Sequence, residues 1–316
     1  MQHLIKNQLS RLTAHLVVAL AAMVGIGGAT RVMEAGLACP DWPLCYGSFL
    51  PGHQMNLKVF LEWFHRFDAL VISIGLLILL ILSIIRRAIL PLWLPWVSGL
   101  MLTLIILQAG LGALTVLQLL PSGIVTAHLA VALLLVGIIS ACHQGLIYEL
   151  SQKRVNSDQF IQNSSVFIKS SFQSQKWWPP LAVLTTLVVY SQCLIGGLMA
   201  TQWAAQRCLG KGEVCQWLHF HRFGATIATA LVVTFIVASL FTDGWSRRQW
   251  PLLSFATFLL VLQIGLGHAS MQLVLSAPGL TIAHQITAAI LIATLSALTT
   301  RGIFSRMTIP SKSTLF

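Results

Sequence analysis

Eight apolar segments of about 20 residues constrain this sequence more than any other feature, because that length crosses the hydrocarbon core of a bilayer as an α-helix. Backbone N–H and C=O groups inside a membrane must bond within the protein, so such segments fold as helices. The composition agrees, since 56% of the residues are hydrophobic, 9% are charged and the mean hydropathy is +0.82. The predicted spans are residues 12–33, 63–85, 92–116, 122–147, 177–201, 218–241, 249–273 and 278–300.

We attribute the net charge of +11 to the orientation of the chain in the membrane and not to binding of nucleic acid. The basic residues are scattered between apolar spans instead of forming one patch. If the N-terminus is inside, thirteen of the 19 Lys and Arg residues fall on inner segments and six on outer segments. Because cytoplasmic loops are enriched in Lys and Arg, both termini are predicted to be cytoplasmic.

Two histidines recur at one fixed spacing, which indicates an internal duplication. His221 follows His65 by 156 residues, and His284 follows His128 by the same 156 residues. The predicted fold is therefore all-α and integral to the membrane, with eight transmembrane helices arranged as two tandem pseudo-symmetric four-helix bundles. The predicted divisions are an N-terminal bundle at 1–147, a polar cytoplasmic linker at 148–176 and a C-terminal bundle at 177–316.

The paired histidines are candidate metal ligands. Ionisable residues inside membrane spans are costly, so they are functional candidates by default. His65 and His128 lie at similar depth on two helices of one predicted bundle, and His221 and His284 repeat that placement. Four-helix bundles hold cofactors between facing helices, and imidazole is a common axial ligand of haem iron. A hydrogen-bonded core histidine is the alternative for a single position, and the repetition of the pair favours ligation.

Acidic residues beside these histidines occur in the first module alone. Glu62 precedes His65 by three residues and so shares its helix face, whereas Leu218 occupies the matching position of the second module. Asp68 likewise corresponds to Gly224. A carboxylate near a bound group can transfer protons, so we expect the chemistry in the first module, with Glu62 as the catalytic candidate.

Arginines and glutamines near the histidines allow two interpretations each. Arg66 and Arg222 directly follow a histidine, and a guanidinium can bind a haem propionate bidentately or extend to the lipid headgroups. Gln108 and Gln263 each precede a Gly-x-Gly element on the third and seventh spans. They can line a pocket or bond across helices, and the sequence does not separate these roles.

Two cysteine pairs lie in predicted outer loops, Cys39 with Cys45 and Cys208 with Cys215. An oxidising compartment favours a disulfide within each pair. Metal binding is the rival interpretation, but neither pair has the Cys-x-x-Cys spacing and no second ligand pair lies nearby.

These motifs together resemble the haem A synthase family. The resemblance rests on Glu62-x-x-His65-Arg66, on the Cys39-Pro-Asp-Trp-Pro-Leu-Cys45 loop and on histidines in spans two, four, six and eight. It covers nearly the whole chain, from about residue 12 to residue 300. Cys208 and Cys215 match only part of the family, so the resemblance supports their bridge less strongly.

The resemblance implies an oxidoreductase that converts the C8 methyl of haem O to the formyl group of haem A. It implies that His65 and His128 flank the haem O substrate, that His221 and His284 ligate haem b, and that Glu62 is essential. The implied partners are a prenyltransferase that makes haem O and a haem-copper oxidase that receives haem A, and the sequence does not identify the electron-transfer partner. A bacterial cell membrane is the expected location.

Two other functions fit the histidines. A di-haem b-type membrane cytochrome for electron transfer is the main alternative, and a haem carrier without redox chemistry is another. The carrier leaves Glu62 without a role. The haem content of the purified protein distinguishes the synthase from the cytochrome, because a cytochrome of this type holds haem b alone.

Overall fold

The structure is a computed structural model that describes residues 2–159, 174–199, 216–242, 244–273 and 277–307. Eight long helices run through these ranges, and each is long and apolar enough to cross a membrane. They are α1 (Gln2–Val32), α2 (Leu57–Ile85), α3 (Leu94–Leu117), α4 (Ser122–Gln159), α5 (Trp178–Met199), α6 (Gln216–Leu240), α7 (Trp250–Gln272) and α8 (Pro278–Met307). The described residues contain no β-strand, so the predicted all-α class with eight spans is confirmed.

The helix ends differ from the predicted ends, because apolar composition marks only the part of a helix that lies in hydrocarbon. α1 begins at Gln2 instead of residue 12, and α4 continues to Gln159, past the predicted end at 147 and into the predicted linker. Neither extension contains Pro or Gly, so nothing in the backbone ends the helix there. The linker residues 160–173 lie outside the described residues.

Neighbouring helices pack in two closed sets. α1 contacts α2 and α4, and α3 contacts the same two helices. In the same way α5 contacts α6 and α8, and α7 contacts α6 and α8. The two sets meet where α8 packs on α1 and α4 and where α4 packs on α5. α1 and α8 are the most buried spans, at 50% and 56%, against 22% to 28% for the other six.

Two glycines at this interface each accept a side chain from the other set of helices. Gln285 of α8 presses on Gly28 of α1 so closely that a Cβ at Gly28 would overlap the Gln285 amide. Leu129 of α4 presses on Gly197 of α5, with Cδ2 at 2.7 Å from the position of a Cβ. Gln285 follows His284 as Leu129 follows His128, so the two contacts are equivalent under the repeat.

Candidate functional site

A cavity of about 1060 Å³ lies among α1, α2, α3 and α4, beneath the loop that joins α1 to α2. This loop is called the outer loop here because the charge distribution predicts that side for it. Much of its wall is apolar, with Leu70, Ile105 and Leu135 among the side chains that line it. The predicted site residues that also line it are Glu62, His65, Arg66, His128 and Cys45. The structure therefore brings the first-module candidates together around a space of the size that accepts a bulky apolar ligand.

The first histidine pair has the separation of two ligands on one metal. The ring centroids of His65 and His128 are 6.3 Å apart, and the ring planes meet at 70°. Two imidazoles bound to opposite sides of one metal, with metal–nitrogen bonds of about 2 Å, have ring centres roughly 6 Å apart. Within the described residues, Nδ1 of each ring is buried and has no hydrogen-bond partner. Packing alone therefore holds these two rings.

The second histidine pair is held by hydrogen bonds. His284 Nδ1 lies 3.1 Å from the backbone oxygen of Gln263, and His284 Nε2 lies 3.2 Å from the Gln263 amide nitrogen Nε2. These contacts fit a tautomer in which Nδ1–H donates and Nε2 keeps its lone pair. His221 Nδ1 lies 2.9 Å from Nε2 of Gln192. The two pairs thus differ in how their imidazoles are fixed.

All four histidine rings pack against a glycine of the preceding helix. A Cβ added to that glycine would lie 2.9 to 3.3 Å from Cε1 of the ring, so a larger residue would displace the imidazole. The pairs are Gly27 with His65, Gly112 with His128, Gly196 with His221 and Gly267 with His284. Close approach of ring and backbone is the reason for glycine at these positions.

Glutamines four residues before three of these glycines bond the same histidines. Gln108 Nε2 donates to the backbone oxygen of His128 at 2.9 Å, and Gln192 Nε2 donates to that of His221 at 2.7 Å. Gln108 and Gln263 were candidates from the sequence, but Gln192 was not. The same four-residue spacing from glutamine to glycine would have identified Gln192 as well. These glutamines therefore bond across helices, and Gln108 also lines the cavity.

Glu62 is bonded through both carboxylate oxygens. Oε2 accepts from the backbone N–H of Cys39 at 2.8 Å, and Oε1 accepts from Arg66 Nη2 at 2.5 Å. Arg66 also donates to the backbone oxygens of Cys39, Asp41 and Leu44. Because Glu62 is only 4% exposed, the pair is a buried anchor between α2 and the outer loop. Both Nη atoms of Arg66 are bonded within the protein.

The outer loop is closed by a disulfide between Cys39 and Cys45, which confirms the prediction for this pair. Within the loop, Asp41 accepts from the backbone N–H of Tyr46 at 2.6 Å and from that of Gly47 at 2.7 Å. These bonds, that of Gly47 foremost, hold the pKa of the Asp41 carboxyl below its usual value. The loop is therefore fixed by a covalent bond and by an ionised Asp41.

Four other predicted residues either do not line this cavity or fall outside the residues that the structure describes. Cys208 and Cys215 fall outside the described residues, so their predicted bridge stays a prediction. Arg222 is exposed on α6, and Asp68 is not among the residues that line the cavity. Sequence reasoning assigned no site role to Arg31 or Gln285, which do line it.

The eight spans and the two half-buried histidine pairs define the class as a multi-pass α-helical membrane protein with histidines packed on glycines of neighbouring spans. The chain belongs to the COX15-CtaA family, described as cytochrome oxidase assembly protein, whose family model matches residues 10–296. The resemblance predicted from the motifs is thereby confirmed.

Two relatives are similar to this chain. A protein named Heme A synthase from Shewanella oneidensis is 28% identical over 91% of this chain and 94% of its own length. A second, also named Heme A synthase, from Neorickettsia sennetsu, is 29% identical over 39% of each chain.

Proposed function

We propose that this chain is a haem A synthase that oxidises the C8 methyl group of haem O to a formyl group. The family and both relatives support this function. The conversion requires two successive hydroxylations, each of which withdraws two electrons from the methyl carbon. Loss of water from the resulting geminal diol leaves the aldehyde of haem A, which serves haem-copper oxidases.

The observation that carries the proposal is the large cavity at His65 and His128. Its volume of about 1060 Å³ and its apolar wall suit a macrocycle with a long hydrocarbon tail. The 6.3 Å ring separation suits two axial imidazoles. Because Nδ1 of neither ring has a partner in the described part of the chain, the rings can shift when substrate enters and product leaves. A substrate site needs this freedom.

The second pair has the features of a permanent cofactor site. A ligating histidine usually donates its other ring N–H to a carbonyl or carboxylate, which fixes its orientation. The backbone carbonyl of Gln263 takes this role toward His284, whereas the Gln192 amide nitrogen Nε2 donates to Nδ1 of His221. We therefore assign haem b to His221 and His284, with Arg222 as the candidate for binding one of its propionates. Haem b, when bound, would accept and release single electrons.

Glu62 is the proposed proton-transfer group of the first site. Its two oxygens have about four lone-pair positions, so the bonds with Cys39 and Arg66 leave capacity for a proton. It lines the cavity close to a histidine ligand, where a proton released from the substrate can be taken up. Arg66 makes bonds that neither of its two sequence interpretations, propionate binding and extension to the headgroups, included. It holds Glu62 and the outer loop in place.

The proposed arrangement in the cell follows the charge distribution. Both termini are cytoplasmic, and the loop that covers the substrate site faces outward in a bacterial cell membrane. The residues 1–147 and 177–316 form the substrate half and the haem b half. A prenyltransferase supplies haem O, and an electron acceptor completes each oxidation.

The haem content of the purified full-length protein tests the proposal. Haems extracted from protein made in cells that synthesise haem O should include haem O, a hydroxylated derivative or haem A together with haem b. His128→Ala should remove the farnesylated haems and keep haem b. Haem b as the sole haem of the wild-type protein, made under these conditions, would contradict the synthase and identify an electron-transfer cytochrome.

A further inference from the structure

The outer half of α1 contributes a cation to the cavity that no other described residue neutralises. Arg31 lies in the last turn of α1 and lines the cavity. Its guanidinium has no hydrogen bond or ion pair with any other residue that the structure describes. It also makes no side-chain bond to the free carbonyl oxygens at the end of α1, so capping that helix is not its role.

The neighbouring charged groups already have partners. Arg66 uses both Nη atoms on Glu62 and on the loop carbonyls. Glu34, which also lines the cavity, pairs with Lys58 at 3.9 Å. Among the described residues that line the cavity, Arg31 is therefore the one cation whose donors remain free for a ligand. A partly buried guanidinium without an acceptor is costly, and an anionic ligand would compensate it.

The position of Arg31 on α1 relates it to the histidine site. Gly27 packs against the His65 ring, and Arg31 follows Gly27 by four residues. Residues four apart share one helix face, about 6 Å apart along the axis. Arg31 thus lies one turn nearer the outer surface than the point at which α1 contacts the imidazole. A planar ligand bound by His65 would direct an outward-facing edge toward this residue.

The internal repeat shows that this cation is particular to the first module. Gly27 and Gly28 correspond to Gly196 and Gly197, which places Ala200 at the position of Arg31. Cations are less frequent on the outer side of membrane proteins, so an outer arginine that is found in one module and not in the other indicates a local ligand. The same asymmetry separates Glu62 from Leu218.

We propose that Arg31 is the substrate carboxylate-binding residue of the first site and that it forms a charge-assisted bond with a propionate of haem O. This inference rests on the proposed function, because the propionates are those of the proposed substrate. A guanidinium and a carboxylate match as two parallel N–H···O bonds. The bond orients the macrocycle within its plane, so Arg31 selects which edge of haem O faces outward.

Titration of the full-length, haem b-loaded protein in detergent with haem O and with its dipropionate dimethyl ester tests the proposal. The ester keeps the macrocycle and tail but removes the two negative charges. The wild-type protein should bind haem O about ten- to a hundredfold more tightly than the ester, as expected for a hydrogen bond between charged groups. Arg31→Met should lose that preference and bind the ester as the wild type does. Arg31→Lys should keep part of it, because lysine retains the charge but not the fork.

Arg87→Met is the matched control, since it removes one positive charge at an exposed residue that neither lines the cavity nor forms an ion pair with a described residue that does. It should leave both affinities unchanged. Arg31→Met with wild-type affinity for haem O, or with equal losses for haem O and ester, would overturn the carboxylate assignment and leave the proposed function standing. If His65→Ala did not weaken haem O binding, the substrate site itself would be misplaced, and the role of Arg31 would be rejected with it.

Discussion

Replacing Glu62 with Gln, and comparing the result with Arg66→Gln, separates the role of Glu62 in proton transfer from its role in anchoring the outer loop. Gln has the same size, but it offers one acceptor oxygen and a donor amide in place of two acceptor oxygens. In the structure both Glu62 oxygens face donors, Cys39 N at 2.8 Å and Arg66 Nη2 at 2.5 Å. Glu62→Gln therefore keeps one of these bonds. In the other, the new amide NH2 group faces a second donor, either Cys39 N–H or Arg66 Nη2.

The two consequences differ in size. Losing a hydrogen bond to a charged group costs about 1.5–3 kcal/mol, and water cannot replace it easily because Glu62 is 4% exposed. This weakens the attachment of the loop, while the apolar packing of the helices is untouched. Losing a positioned acid or base lowers the rate by about 10²- to 10⁴-fold. We expect both effects, with the loss of rate dominating.

Arg66→Gln is the matched control, because it breaks the same ion pair and leaves the carboxylate in place. If Glu62 only anchored the loop, Arg66→Gln would lose haem A formation at least as much as Glu62→Gln, because it also removes the Arg66 bonds to the carbonyl oxygens of the loop. If Glu62 also transfers protons, Glu62→Gln should be slower than Arg66→Gln by about tenfold or more.

The assay is mass-spectrometric quantification of haem O, its hydroxylated derivative, haem A and haem b in protein purified from cells that make haem O. Glu62→Gln should accumulate haem O or the hydroxylated derivative, with haem b unchanged. Haem A formation near the wild-type level, or a loss equal to that of Arg66→Gln, would refute the proton-transfer role.

Three further predictions concern the other parts of the site. His221→Ala or His284→Ala should remove most haem b from the purified protein, because an axial ligand is lost, and a normal haem b spectrum in both variants would reject the assignment. Non-reducing peptide mapping of oxidised protein should find Cys208 bridged to Cys215, and two free thiols there would contradict the bridge. The bonds of Asp41 with loop amides lower its pKa, so they stabilise the loop above about pH 4 and are lost as the pH falls through the lowered folded-state pKa. Phosphine reduction of the first-loop disulfide should accelerate over that window in the wild type, whereas Asp41→Ala should be reduced rapidly throughout, and equal pH profiles would exclude this role.

The helices and the first disulfide could be predicted because their causes are local. A span needs about 20 apolar residues whatever its neighbours are, and Cys39 and Cys45 are close in sequence within one loop between two spans. The end of α4 could not be predicted in this way, because hydropathy stops at the membrane surface and the helix continues to Gln159.

The bonding partners of the charged residues depend on how the loop between α1 and α2 folds, and the sequence pattern does not predict that fold. Arg66 directly follows His65, which suggested a propionate ligand, yet its Nη atoms bond to Glu62 and to carbonyl oxygens of the outer loop. No site role was predicted for Arg31, because a basic residue at the end of an apolar span is common in membrane proteins. Only the folded cavity shows which of the two guanidinium groups retains free donors.

The reciprocal contacts of Gln285 with Gly28 and of Leu129 with Gly197 have the form of an isologous interface, in which the same patch meets itself across a two-fold axis. The chain is in this respect a fused homodimer, and a single-module ancestor would have completed its binding cavity with a residue from a second copy. Symmetry would have obliged both sites of that dimer to be identical. Joining the copies in one chain released that constraint, so Glu62 and Arg31 could be confined to one module, while the sequence of the other module has Leu218 and Ala200 at the matching positions of the repeat.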